Sequence, residues 1–272
     1  MVPKKIGFVG LGNMAQAMFK RWISSGAVQA GDIYGYDPNM ELCVSLSDSL
    51  GITIVSRNGT LVRECDMLVL AVKPQYADEA LSQLSHELPV GDWSGKAVLS
   101  VVTGLTTAVL KERLPGAMVA RVMPNTPAMV GEGVFAASSE HTFNEELTVW
   151  TTALLERCGR VFFVRERDLE AVTGLSGSGP AYGFVFIEAM ADAGVRLGLP
   201  RALAYEMAAQ TLAGAGRMAL ESGQIPAALK DAVCSPGGTT IEAIYALEKG
   251  GFRAAVIDAV CASAYKAAAL KG

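Results

Sequence analysis

Histidine is nearly missing from this chain of 272 residues, which carries two, His86 and His141. His86 lies in a polar helix end (Ser85-His86-Glu87) and His141 in a loop (Ser139-Glu140-His141-Thr142), so both are expected to be solvated bystanders. The five cysteines, at 43, 65, 158, 234 and 261, form no C-x-x-C pair and no even framework. That excludes a disulfide scaffold and predicts reduced thiols in a cytoplasmic protein without a metal site. Neither sign of charge dominates: 23 Lys and Arg face 27 Asp and Glu, a formal net charge of -4. Nucleic acid is therefore not an expected partner. Long uncharged apolar runs are also lacking; the best, residues 182–199, contains Glu188, Asp192 and Arg196, so no membrane association is expected. Lys4-Lys5 followed by an apolar run and Ala15-Gln16-Ala17 mimics a secretory leader, but the uninterrupted stretch 6–11 is short and holds two glycines. No cleaved leader is expected.

What the chain has is apolar mass. Hydrophobic residues make up 51% and charged residues 18%, enough for a full core and for two domains. The mean hydropathy of +0.32 without a membrane span predicts apolar surface buried between subunits.

The first part alternates strands and helices. Residues 5–9 read as a buried strand, 13–25 as a helix closed by Gly26, and 33–36 as a second strand ended by Asp37-Pro38. Between the first strand and helix lies Gly10-Leu11-Gly12-Asn13-Met14-Ala15, a G-x-G-x-x-A pattern. Gly10 makes the tight turn, Gly12 lets backbone approach a pyrophosphate, and Ala15 lets the helix pack close. The strand before, the helix after and the acid ending the next strand turn a weak pattern into a specific one. Further strands are expected at 52–55, 67–72, 97–102, 118–122 and 160–164. The result is a doubly wound parallel sheet that binds ligands at the carboxyl ends of its strands. Two loops leave those ends with distinctive chemistry: Ala71-Val72-Lys73-Pro74-Gln75, and Met123-Pro124-Asn125-Thr126-Pro127.

From about Leu169 strand signals stop. Ser176-Gly177-Ser178-Gly179-Pro180 is a turn with proline at the expected first helical position. Helices are expected at 181–197, 200–221, 227–233, from Thr239 to 248, and at 252–270. Their Ala- and Gly-rich faces permit close approach and are too apolar for so thin a domain alone, which predicts an all-α dimerisation domain. The fold class is therefore α/β, with a Rossmann-like dinucleotide-binding domain at 1–166 and a helical dimerisation and substrate-binding domain at 167–272.

The stretch Cys234-Ser235-Pro236-Gly237-Gly238-Thr239-Thr240 precedes one of these helices. Thr239 followed by Glu242 reads as a capping box, which leaves the Thr240 hydroxyl to face a ligand. Free N–H groups at a helix start beside a glycine turn favour a small anion such as a carboxylate. A dinucleotide site and an anion site together suggest a reductase. Interconverting an alcohol and a ketone usually needs His, Lys or Tyr to move the hydroxyl proton; none accompanies the second-domain turns, whereas Thr240 does. An imine differs, because its nitrogen is basic and can arrive protonated, so that a hydroxyl donor and a carboxylate pocket would suffice.

The five stretches Gly10 to Ala15, Ala71 to Gln75, Met123 to Pro127, Val172-Thr173-Gly174-Leu175-Ser176-Gly177-Ser178-Gly179-Pro180-Ala181-Tyr182 and Ser235 to Thr240 closely resemble the pyrroline-5-carboxylate reductase family, in order and over essentially the whole chain. The resemblance implies NAD(P)H-dependent reduction of 1-pyrroline-5-carboxylate to L-proline by a homodimer, assembled into a larger ring such as a decamer. It also implies roles for individual residues. Gly10, Gly12, Asn13 and Met14 would hold the pyrophosphate. Asn58, Ala71, Val72, Lys73 and Pro74 would hold the adenosine half, and Thr103, Met123 and Asn125 would line the nicotinamide. Ser235, Gly238, Thr239 and Thr240 would hold the substrate carboxylate, with the Thr240 hydroxyl at the ring nitrogen as the catalytic contact. Glu166 falls where the family has an acid near the reacting centre, or is a solvated acid within Arg165-Glu166-Arg167-Asp168.

Asp37 bears on the cofactor, either NADPH or NADH. An acid ending the second strand accepts the ribose 2′-hydroxyl of NAD, which predicts efficient NADH use with NADPH also accepted, unless Asp37 merely caps the helix near Met40. Three alternatives stay open. One is a beta-hydroxyacid dehydrogenase, although the positions where that family has Lys and Asn hold Gly183 and Ile187. The others are a reductase of another cyclic imino acid and an NAD(P)-binding regulatory protein without turnover.

Overall fold

A computed structural model describes residues 2–87 and 93–269. Its contacts divide the chain into two compact units, Met1–Gly177 with Ser263–Gly272, and Ser178–Ala262.

The first unit contains β1 (Ile6–Val9), α1 (Asn13–Ser24), β2 (Ile33–Tyr36), α2 (Met40–Leu50), β3 (Thr53–Ile54), α3 (Asn58–Glu64), β4 (Met67–Leu70), α4 (Ala77–Ser85), β5 (Ala97–Ser100), α5 (Thr107–Arg113), β6 (Met118–Met123), β7 (Gly133–Ser138), α6 (Glu145–Glu156), β8 (Gly159–Val164) and α7 (Leu169–Val172). The strands form one sheet in the order β3-β2-β1-β4-β5-β6-β7-β8. Every residue of β1, β4 and β5 is buried, as strands covered by helices on both faces must be. Alternation within β4 divides the core. Met67 and Val69 join α1, α2 and α6 on one face, whereas Leu68 and Leu70 join α3, α4 and α5 on the other. On the first face Phe8 meets Phe19 edge-on, with ring centroids 5.3 Å apart, and Trp22 at 5.7 Å. Fully burying each such aromatic is worth about 1.5–3 kcal/mol, so these rings pin α1, and with it the glycine loop, to β1.

The expected all-parallel sheet needs correction at its far edge. From β3 to β6 every pair is parallel, but β7 runs antiparallel to β6, with Val122 opposite Ala137. β8 then pairs parallel to β7, so both run against the rest. The cause is the short link from Met123 to Gly133, whose 3₁₀ turn spans Thr126–Val130. A parallel return needs a crossover of a dozen or more residues. Strand β7 itself was not expected.

The second unit holds α8 (Gly179–Arg196), α9 (Arg201–Glu221), α10 (Pro226–Ala232), α11 (Thr239–Lys249) and most of α12 (Phe252–Ala269); Leu270, the expected end of the last helix, lies outside the described residues. Pro180 is the second residue of α8, not the first, and the five residues before Ser178 form a π-helical turn, Thr173–Gly177. The fully buried core of this unit is small, built on Ala191, Ala204 and Ala208 with Ile187, Met190 and Val195 against them. Phe184, Val185, Met207, Leu220, Tyr245 and Ile257 are all exposed.

Candidate active site

The glycine loop follows β1. Gly10 adopts φ 91°, the left-handed region that favours glycine. A Cβ here would also lie 3.0 Å from the Ala71 carbonyl oxygen and 3.1 Å from Val72, so the β1 and β4 loops touch through this residue. Gly12 is the N-cap of α1 with no side-chain cap, and nothing lies within 4 Å of where its Cβ would stand. The first intrahelical bond runs from Gln16 N–H to Gly12 C=O, 3.0 Å. The N–H groups of Asn13 and Met14 therefore point out of the helix start into open space, the arrangement that binds a phosphate.

Asp37 is not the cap of α2. That role belongs to Asn39, whose Oδ1 accepts from Leu42 N–H at 3.1 Å. Asp37 Oδ1 accepts from Asn39 N–H at 2.9 Å, and its Oδ2 from Leu11 N–H at 3.0 Å inside the glycine loop. The acid thus holds the loop while its carboxylate borders a cleft of about 480 Å³. Gly10, Gly12, Asn58, Ala71, Val72 and Lys73 line the same cleft; Pro74 opens the 3₁₀ turn Pro74–Tyr76 beside it. Asn58 Oδ1 is buried and has no partner among the described residues, while its Nδ2 donates to Gln83 Oε1 at 2.8 Å. An uncapped helix start, a Cβ-free approach and an orphaned buried acceptor fit a dinucleotide. Tyr76, Glu79 and Gln83 also line the cleft and were missed in the sequence; the Glu79–Gln83 spacing of one helical turn just after the Lys73-Pro74 loop was the available signal.

Thr103, Met123 and Asn125 lie at the carboxyl ends of neighbouring β5 and β6, outside that cleft's lining. Thr103 Oγ1 approaches Met123 Sδ at 3.9 Å. Asn125 is buried and engaged at both ends: Nδ2 donates to Ser176 C=O at 3.0 Å and Oδ1 accepts from Val134 N–H at 2.8 Å. Its amide ties β7 and the π turn to the loop it occupies. Glu166 is not a solvated acid. It accepts from Thr107 N–H at 2.7 Å and from buried Arg121 at 3.3 Å, and Arg121 also reaches Glu170 at 3.5 Å.

His86 is exposed, with Nδ1 2.6 Å from Ser82 C=O. The expectation for His141 needs correction. Its ring packs against Phe143 and Phe163, its Nδ1 is buried with no partner among the described residues, and burial lowers its pKa from 6.5. The cause is Phe163, distant in sequence but brought over the loop by β8. No group of three His, Cys, Asp or Glu among the described residues could hold a metal, and no described helix is long and apolar enough to cross a membrane.

In the second unit, Gly238 N–H donates to Ser235 C=O at 3.0 Å. Pro236 and Gly237 occupy the middle of this turn, and Gly237 takes φ 64°, as proline and glycine suit. The expected capping box is absent: Gly238 is the N-cap of α11, Thr239 is its first residue, and no side chain caps it. Left-handed Gly237 ends the turn one residue earlier than the Thr-x-x-Glu pattern suggests. The helix start stays open, Ser235 Oγ lies where a Cβ on Gly238 would fall, and Thr240 is half-buried in the first turn.

Residues 166–270 match the pyrroline-5-carboxylate reductase dimerisation family model, and residues 5–104 match that of coenzyme F420-dependent NADP oxidoreductases. The chain is 41% identical over 247 residues to the pyrroline-5-carboxylate reductase of Escherichia coli K12, covering 90% of each. It is 42% identical over 245 residues to pyrroline-5-carboxylate reductase 3 of Danio rerio, covering 89% of this chain and 83% of that one. Among solved structures, the Plasmodium falciparum pyrroline carboxylate reductase with NADP bound superposes with a TM-score of 0.88 at 33% identity, covering 98% of both chains. With this likeness running from the glycine loop to the last helix, the chain belongs to the pyrroline-5-carboxylate reductase family.

Proposed function

We propose that this chain reduces 1-pyrroline-5-carboxylate to L-proline, the final step of proline biosynthesis, using NADPH or NADH. The observation that carries the reading is the pair of uncapped helix starts, one on each unit, each entered through a glycine turn. The cofactor, when bound, supplies hydride. Gly12, Asn13 and Met14 hold its pyrophosphate at the start of α1, with Gly10 shaping the turn. Asn58 and the Ala71-Val72-Lys73-Pro74 loop hold the adenosine half, and Thr103 and Met123 line the nicotinamide on a loop fixed by Asn125. Ser235 and the N–H groups of Gly238, Thr239 and Thr240 receive the substrate carboxylate. The Thr240 hydroxyl donates to the ring nitrogen as that atom takes the electron pair of the reduced C=N bond. The imine nitrogen enters protonated, so hydride addition gives the neutral amine and no side chain has to transfer a proton, in keeping with a chain so poor in histidine.

Residues 167–272 form the dimerisation and substrate-binding domain of this reading, and the exposed apolar side chains of α8, α9, α11 and α12 are what a second copy covers. The protein is a homodimer that builds a larger ring such as a decamer. Cofactor oxidation measured with 1-pyrroline-5-carboxylate, a six-membered cyclic imine and a panel of 2-oxo acids tests the activity. The five-membered imine is expected to be used best; a clear preference for another substrate sinks the assignment. Light scattering tests the assembly, and a stable, fully active monomer contradicts it.

A further inference from the structure

One wall of the first-unit cleft carries a hydrogen-bond relay whose direction a carboxylate sets. Asn58 Nδ2 on α3 donates to Gln83 Oε1 on α4 at 2.8 Å, and Gln83 Nε2 donates to Glu79 Oε1, one turn earlier, at 3.2 Å. All three residues line the cleft. A carboxylate only accepts hydrogen bonds. Gln83 must therefore turn its nitrogen to Glu79 and its oxygen to Asn58, and Asn58 must turn its nitrogen to Gln83. Flipping both amides would set the Gln83 oxygen against the Glu79 carboxylate. What is left over is Asn58 Oδ1, on a residue only 5% exposed and with no partner among the described residues. A buried acceptor left unmatched costs about 1–3 kcal/mol, so the arrangement favours a ligand that brings a donor.

We propose that Glu79 is a positioning residue: acting through Gln83, it makes the Asn58 end of the cleft an acceptor. The cleft thereby selects a hydrogen-bond donor on the adenosine half of the cofactor, a ribose hydroxyl or the adenine amino group, and disfavours a ribose phosphate. This rests on reading the cleft as the cofactor site. The surroundings point the same way. Asp37 adds a second acceptor group, and Lys73 is the single cation among the described lining residues. Arg57, next to Asn58, pairs with Glu87 at 3.1 Å at the surface, so a phosphate would have to compete with that bridge for its guanidinium. The exposed Glu79–Gln83 bond is weak in water, but a bound adenosine covers the wall and raises the energy of an unmatched polar group.

Fluorescence titration of the full-length protein with NADH and NADPH gives the Kd ratio that reads the relay. Glu79→Gln frees both amides to invert, and the NADPH-to-NADH Kd ratio is expected to fall by roughly 3- to 10-fold, the range of one net hydrogen bond. Adding Gln83→Glu lets position 83 accept directly from Asn58 Nδ2, so the double variant should recover the wild-type ratio. Nicotinamide 2′-deoxyadenosine dinucleotide and nicotinamide hypoxanthine dinucleotide, both reduced, separate the two donors: the one lacking the selected group should bind wild type more weakly than NADH, by a similar factor. A ratio that does not move in Glu79→Gln overturns the relay, whatever the analogues do. A folded wild-type protein that binds neither NADH nor NADPH overturns the cofactor reading of the cleft instead.

Discussion

Replacing Asp37 by serine separates two tasks that this carboxylate combines. Its Oδ2 accepts from Leu11 N–H at 3.0 Å and its Oδ1 from Asn39 N–H at 2.9 Å. A serine hydroxyl keeps one of these bonds at most. Losing the grip on Leu11 loosens the glycine loop by about 0.5–1.5 kcal/mol, and that loss falls on both cofactors alike, so it cancels in their ratio. The charge does not cancel. A unit charge about 6 Å from a ribose phosphate interacts by roughly 0.7 kcal/mol in water and 2.8 kcal/mol near a protein surface. A half-wet cleft lies between, and about 1.4 kcal/mol is tenfold. Asp37→Ser should therefore lower kcat/KM for NADH while raising the NADPH-to-NADH ratio of efficiencies about tenfold. Asn39→Ala is the control: it removes the real cap of α2, at roughly 0.5–2 kcal/mol of stability, and should leave the ratio alone. If both efficiencies drop together in Asp37→Ser and their ratio holds, Asp37 serves the loop only and has no part in choosing the cofactor.

Thr240→Val should cut turnover by roughly 10- to 1000-fold, the scale of one transition-state hydrogen bond, with cofactor Kd hardly moved; wild-type turnover removes Thr240 from the mechanism. His141 is held neutral by burial, with its pKa below 6.5. Between that lowered value and 6.5 the unfolded chain binds a proton that the folded one refuses, so stability falls as pH drops through the window. Melting temperatures from about pH 7 to about 5 should thus decline less steeply in His141→Phe than in wild type; parallel curves refute the assignment. Burial pushes the Cys65 thiol up to about 12 and that of Cys158 to about 11. Iodoacetamide at about pH 8 should leave both unlabelled until denaturant is added, and peptide mapping that finds either labelled in the native protein contradicts this.

Local chemistry was legible in the sequence. Gly10 to Ala15 announced its turn and helix because glycine spacing and the flanking periodicities are properties of adjacent residues. Direction was not legible: an apolar run such as Gly133–Ser138 carries no mark of which way it lies in a sheet, and its small residues hid it among the loops. The Thr239–Glu242 spacing misled because a left-handed glycine two residues upstream moved the helix start. His141 was misjudged, and Glu166 was left open between a site acid and a solvated one, for a shared reason. The groups that bury or bind them, Phe163 for one, Arg121 and the Thr107 amide for the other, lie 22 to 59 residues away and meet them only in the folded sheet. Asn58 was readable from the family resemblance, whereas Gln83 and Glu79 owe their meaning to the packing of α4 beside α3.

The knot around Arg121 sets an order of events during synthesis. Arg121 leaves the ribosome well before its partners, which follow 45 and 49 residues later in Glu166 and Glu170. Thr107 N–H waits longer still, its acceptor lying 59 residues downstream. A nascent chain that has completed β8 but not yet released residues 166–170 has a guanidinium ready to be buried and no carboxylate to meet it, a deficit of about 3–5 kcal/mol. Burial of Arg121 is therefore expected to stay uncompensated until Glu170 is free, and a fragment cut at residue 165 lacks the same pair for good. Release of residues 166–170 is thus expected to be the step that lets the sheet bury Arg121, with residues 263–272 of the same unit still to come.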